Sequence, residues 1–255
     1  MALAVLPEMP SSEILLILSG AIAGGFINGL AGFGTALFAL GFFLGVLPPA
    51  QAVALVLLLA IATGLQGLWV VRGAMFDNPK RLMRFLLPAL VGIPIGVQSL
   101  AYVDVPTLKI VVAGFLIIYG GFFTFRRNLP RIDRPTPLVD GVVGFLGGVL
   151  GGLASLSGAL PTMWCSMRSW PKSETRGVLQ PFNLCVLGVS ACLLAIRGEY
   201  TAQTLYFALI AVPVAIVSAQ VGIIAYQRVP DALFQRLLIA LCFVSGIVLM
   251  IREFS

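Results

Sequence analysis

Hydrophobic positions run through this chain in long blocks, separated by polar connections of no more than a dozen or so residues. Six blocks are unbroken, at roughly 50–71, 82–101, 107–125, 175–196, 203–224 and 232–251. Apolar runs of this length predict helices able to cross about 30 Å of hydrocarbon. Two further apolar stretches, 13–46 and 138–168, differ because glycine accumulates near their middles. The first holds Gly24-Gly25-Phe26-Ile27-Asn28-Gly29-Leu30-Ala31-Gly32-Phe33-Gly34-Thr35, and the second runs from Gly144 through Gly147, Gly148, Gly151 and Gly152 to Gly158. Glycine at that density should break a helix. The pattern predicts an all-α polytopic membrane protein whose two halves each carry a Gly-broken re-entrant or discontinuous helix, the sequence mark of a transporter's binding site.

The halves repeat. Pro48, Pro88 and Pro106 recur as Pro171, Pro213 and Pro230 at nearly constant separation, and Arg72-Gly73 recurs as Arg197-Gly198. Gly25, Gly29 and Gly32 recur as Gly144, Gly148 and Gly151. Ordered matches of this kind predict a duplication. Its parts are a first membrane repeat over 1–125, a basic, proline-rich cytoplasmic linker over 126–137, and a second membrane repeat over 138–255.

Composition sharpens the class. Of 255 residues 59% are apolar and 10% charged, against about 25% charged in soluble domains. The net charge of +6 then reads as orientation determinants in short loops rather than a nucleic-acid surface. If 13–46 and 138–168 each cross the bilayer once, Lys and Arg divide ten against six between the two sides. If each is a re-entrant hairpin, only Lys109, Arg197 and Arg252 are separated from the other thirteen. Positive residues concentrate on the cytoplasmic face, so the hairpin arrangement is favoured, with both termini outside and the two four-segment repeats inverted. Its arms, about 13–28 with 33–46 and 138–153 with 157–168, rise roughly 18–24 Å. The amino terminus lacks a basic region before its apolar part and does not read as a cleavable signal peptide.

Breaking a helix inside a membrane exposes backbone N–H groups that must be buried in protein or face a water-filled cavity. A half-helix starting there adds a partial positive charge, which makes an anion site. Gly32, Gly34 and Thr35 would line the first tip, with Thr35 starting the second arm, and Gly152, Ser155, Ser157 and Gly158 would line the other. The competing reading is helix packing of the small-xxx-small type, which Gly25-xxx-Gly29 and Gly148-xxx-Gly152 fit. Asn28, Gln66, Gln180 and Asn183 are polar amides within apolar spans, costly there unless hydrogen-bonded. Gln180 and Asn183 share a helix face, with Pro181 between them to loosen the ladder. They are either interhelical glue or substrate contacts. Arg176, one turn before Gln180, either reaches the cavity face or anchors the topology. Arg168 and Lys172 read as interfacial anchors, and Trp164 and Trp170 as an interface belt.

Other chemistries find little support. Cys165, Cys185, Cys192 and Cys242 lie in apolar segments without CxxC spacing and read as packing residues. Histidine is absent from the sequence, which argues against nickel, cobalt or zinc transport and against a His proton relay. Glu13, Asp140, Glu174 and Asp231 sit at segment ends, where they offer no intramembrane coupling carboxylate. Neither catalytic residues, metal nor cofactor are expected.

The residues resemble a known family. The resemblance is carried by the glycine cluster at 24–34, Leu47-Pro48-Pro49-Ala50-Gln51-Ala52-Val53-Ala54, the run Gly151 to Thr162, Trp170-Pro171-Lys172 and Gln180-Pro181-Phe182-Asn183. In this order they resemble the TauE/SafE sulfite exporters, or toluene-sulfonate uptake permease group, over nearly the whole chain. The resemblance implies movement of sulfite, organosulfonates or related anions across a bacterial inner (plasma) membrane. With the breaks it implies export by alternating access between the halves, the charge count making the termini periplasmic, and the expected partners are a small anionic substrate and the lipid bilayer. Nucleic acid is not among them, and a homo-oligomer stays open. An anion channel and a carrier of another small organic anion are the alternatives. An intramembrane enzyme lacks the residues it needs.

Overall fold

A computed structural model describes residues 11–71, 79–125, 132, 134–168, 170, 172–228, 243 and 247. Apart from Phe243 and Ile247, both helical, the span expected over 232–251 lies outside the described residues, as does most of the linker expected over 126–137. Among them are the helices α1 (Ser11–Ala31), α2 (Thr35–Phe43), α3 (Pro49–Val71), α4 (Pro79–Leu100), α5 (Val105–Phe125), α6 (Pro137–Ala154), α7 (Ala159–Ser166), α8 (Lys172–Ile196) and α9 (Ala202–Arg228). Seven are long and apolar enough to cross a membrane; α2 and α7 are not. No strand occurs among the described residues, which show one isolated bridge between Ile132 and Arg168.

Local chemistry sets the boundaries. Proline opens α3, α4 and α6, where its missing N–H costs nothing and its fixed φ suits the first turn. Asp104 Oδ1 accepts the Thr107 N–H at 3.2 Å to cap α5, and Thr201 Oγ1 accepts the Thr204 N–H at 3.3 Å to cap α9.

The helices pack around α3, whose residues from Ala52 to Leu57 are fully buried. α8 and α9 both lie against it, and α8 also meets α4. The most extensive contacts are α4 with α6 and α1 with α9, and both are glycine seams. A side chain at Gly25 or Gly29 would run into the α9 backbone at Ala215 and Ala219. One at Gly92 or Gly96 would run into α6 at Phe145 and Val149, and one at Gly144 or Gly148 into α4 at Phe85 and Ala89. Lipid offers no hydrophobic drive between helices, so close backbone approach supplies the dispersion that holds them. The outer faces remain apolar, as at Leu209 and Val217 of α9, 75% and 65% exposed.

These seams explain where the helices break. α1 continues through Gly24, Gly25 and Gly29 to Ala31, beyond the expected arm ending near 28, because those glycines are contact points and not hinges. The return arm α2 starts at Thr35 and stops at Phe43, short of the expected 46. The second pair, α6 and α7, falls close to the expected 138–153 and 157–168.

Gly29→Ala and Gly96→Ala each force a seam apart and should lower the thermal unfolding midpoint in detergent, by the equivalent of about 1–3 kcal/mol. Gly114→Ala and Gly188→Ala, where an added methyl meets nothing within 4 Å, should leave it unchanged or raise it, since Ala favours the helix by about 0.5–1 kcal/mol. Equal effects at all four positions would contradict the seam assignment.

Candidate functional site

The two breaks close differently. In the first, the Gly32 N–H donates to Asn28 O at 2.7 Å, completing the last turn of α1. Gly32 and Gly34 then take φ of +79° and +100°, conformations open to glycine at little cost. In the second, the Ser155 N–H donates to Gly151 O at 3.0 Å and the Leu156 N–H to Leu150 O at 3.1 Å. This is a Schellman closure with serine in the left-handed position, φ +58°, at a cost of about 1–2 kcal/mol. Neither α2 nor α7 has a side-chain cap, so the first N–H groups of both lack an acceptor within their own helix.

Both breaks face one cavity of about 30 Å³ for the centre of a water-sized sphere, room for about two such groups. Its level is informative. Ala60, the central residue of α3, and Leu184, the central residue of α8, both line it. Asn28, Gly32, Gly34 and Thr35 line it from the first break, Ser155, Ser157 and Gly158 from the second, and Gln180 and Asn183 from α8. Phe33, Leu37, Leu156 and Leu187 supply apolar walls, with the Phe33 ring edge-on to Tyr119 at 5.7 Å. Every described residue lining the cavity is uncharged.

The amides are held but not exhausted. Gln180 Nε2 donates to Gly64 O at 3.1 Å, which turns Oε1 towards Gly32. Ser157 Oγ donates to Asn183 Oδ1 at 3.2 Å, while Asn183 Nδ2 lies against Gly158. Asn28 Nδ2 donates to Thr63 Oγ1, which in turn donates a hydrogen bond to Leu59 O at 2.7 Å. Two hydroxyls are left over: Thr35 Oγ1 and Ser155 Oγ are buried without any hydrogen-bond partner, in residues 2% and 8% exposed. Such groups cost about 1–3 kcal/mol each.

Three expected residues stand apart. Gly152 does not line the cavity; it faces α4, where a Cβ would lie 2.5 Å from Ile93 O. Gln66 does not line it either, and its Oε1 is buried without a partner. Arg176 lies in α8, with its side chain outside the described residues. Thr63 and Gly64 were missed by sequence reasoning. Gly64, two residues before Gln66, offered a faint signal as a glycine inside an apolar span.

A charged cluster closes the base of the second break. Asp140, in the first turn of α6, and Arg168, just beyond α7, pair at 2.7 Å with both side chains 3% exposed. Asp140 Oδ1 also accepts from Trp164 Nε1 at 2.7 Å, and Arg168 donates to Arg134 O at 2.7 Å and to Thr136 Oγ1. The guanidinium lies 4.8 Å from the Trp164 ring and 5.7 Å from that of Trp170. Arg168 and the tryptophans, expected as separate interfacial anchors, thus form one buried network with a carboxylate expected merely to end a segment. Sequence spacing does not show that the two arms fold back on each other, and so hides the pair.

A family model described as sulfite exporter TauE/SafE matches residues 16–249. No curated protein and no solved structure gives a significant match. The chain belongs to the TauE/SafE family, a transporter family, and is a multi-pass membrane protein.

Removing one partner from a buried ion pair strands the other charge, at about 3–5 kcal/mol. Arg168→Met should therefore lower the unfolding midpoint sharply, and Asp140→Asn added to it should restore more than half of the loss. A double variant no more stable than Arg168→Met would show that the two side chains act independently.

Proposed function

We propose that the protein exports sulfite or a related small sulfur-containing anion, organosulfonates included, across a bacterial inner membrane by alternating access. The carrying observation is the single mid-helix cavity onto which two uncapped half-helix starts and two unpartnered hydroxyls face. Each start contributes about half a positive charge, and an oxyanion accepts several hydrogen bonds at once. Asn28, Gly32, Gly34, Thr35, Ser155, Ser157, Gly158, Gln180 and Asn183 are the proposed contacts.

The architecture in this reading is two inverted four-segment repeats. Equating α1 with α6, α3 with α8 and α4 with α9 maps the α1–α9 seam onto the α6–α4 seam, and the α3–α9 contact onto α8–α4. Pro88 of α4 and Pro213 of α9 correspond in the same way. Both α1 and α6 are long enough to cross alone. Re-entry is favoured because the breaks meet α3 and α8 at their centres, while α2 and α7 rise only about 12–14 Å. The charge distribution then sets both termini in the periplasm. An anion leaves a negative-inside cell with about 2.3 kcal/mol per charge per 100 mV in its favour, so export needs no coupling carboxylate in the cavity.

Proteoliposomes holding the purified chain should take up labelled sulfite saturably, with counter-transport by unlabelled sulfite. Gln180→Ala with Asn183→Ala should raise KM at least tenfold, since a hydrogen bond to a charged ligand is worth about 1.5–3 kcal/mol. Flux no greater than in empty liposomes, for sulfite and sulfonates alike, would defeat the proposal. Sustained single-channel current without counter-transport would replace the carrier with a channel.

A further inference from the structure

Resting on that reading, we infer that the cavity selects singly charged sulfur oxyanions and takes sulfite as hydrogensulfite, which carries its own proton across. Three observations lead there. The first is charge. All described lining residues are neutral, and the buried Arg168 is already matched by Asp140. The positive field comes from two helix starts of about half a charge each, which together balance about one negative charge. Desolvation grows with the square of the charge, so a dianion gives up about four times as much hydration for the same field.

The second is the balance of donors and acceptors. Thr35 Oγ1 and Ser155 Oγ have no partners and are free to donate to ligand oxygens. Gln180 Oε1, turned towards Gly32 because Nε2 is committed to Gly64 O, adds a carbonyl acceptor, while Asn183 Oδ1 is already engaged by Ser157 Oγ. An amide oxygen accepts from the proton of hydrogensulfite, and it repels a dianion about twice as strongly as a singly charged sulfonate. The third is size: room for about two water-sized groups is less than one bare sulfur oxyanion fills, so the walls must part to admit even an unhydrated ion, and a retained hydration shell has no place. A ligand that brings its own proton also explains how a cavity without a titratable group can move a weak acid.

The test uses the wild-type chain in proteoliposomes under a clamped potential, with current and labelled sulfite flux recorded together. One elementary charge should move per sulfite. Methanesulfonate, singly charged at every pH used, should compete with sulfite, and sulfate, doubly charged throughout, should compete at least tenfold less well. At fixed total sulfite, flux should fall about tenfold per pH unit once hydrogensulfite becomes the minor form. Two charges per sulfite, or sulfate competing as well as methanesulfonate, would overturn the inference and leave the sulfite exporter standing. Absence of flux for every sulfur oxyanion overturns both. Thr35→Val with Ser155→Gly, which removes both hydroxyls and relieves the left-handed serine, should raise KM for sulfite and methanesulfonate alike at least tenfold; an unchanged KM also counts against the inference.

Discussion

A backbone amide exposed to hydrocarbon without an acceptor costs several kcal/mol, and this chain interrupts a helix at two places along its apolar length. Each interruption must be enclosed by protein, and the enclosure organises the rest of the structure. α3 is buried along its middle because it walls one side of both breaks, and α8 because it walls the other. Their neighbours α4 and α9 lie close because glycine seams bring α6 and α1 against them. A side chain on those seams would separate the backbones and open the breaks to lipid. The glycines that make the breaks and the glycines that seal them therefore answer to the same constraint, although they do different work.

The two bases are closed by unlike chemistry. Under α6 and α7, Asp140 and Arg168 form a buried pair extended by Trp164, Thr136 and the Arg134 carbonyl. Under α1 and α2 the contact is apolar: Gly20 admits the Phe43 ring to 2.5 Å from where a Cβ would sit, and Ile17 and Phe43 are fully buried. A hydrogen-bonded ion pair fixes direction as well as distance, whereas an aliphatic contact slides at little cost.

Much of this was legible in the chain. Periodless apolar runs gave the long helices, and Gly32, Gly34 and Ser155–Gly158 marked the breaks, with helix packing as the competing reading of the glycines. Gln180 and Asn183 announced themselves as amides three residues apart in a hydrophobic span, and both line the cavity. What stayed hidden was pairing across the fold. Gly152 and Gly158 belong to one glycine- and serine-rich run, yet Gly152, still inside α6, faces Ile93, and Gly158, in the turn before α7, faces Asn183; where the helix ends is what separates them. Asp140 and Arg168 looked like the ends of two segments because a sequence records position along the chain and not the fold-back that joins its ends. Thr63 was legible only after Asn28 had been placed beside it.

α8 is the element common to everything at the site. Gln180 reaches the first break at Gly32 and α3 at Gly64, while Asn183, one turn on, reaches the second break at Ser157 and Gly158. Between them Pro181 lacks the N–H that would bond the Gly177 carbonyl, so the ladder is weakest at the level where α8 touches both tips. A rigid helix would tie the two breaks into one body. In the proposed cycle, a helix loosened at Pro181 would let Gln180 follow the first break while Asn183 stays with the second. The proline that would be a defect in a purely structural span is, in the proposed cycle, where the two halves come apart.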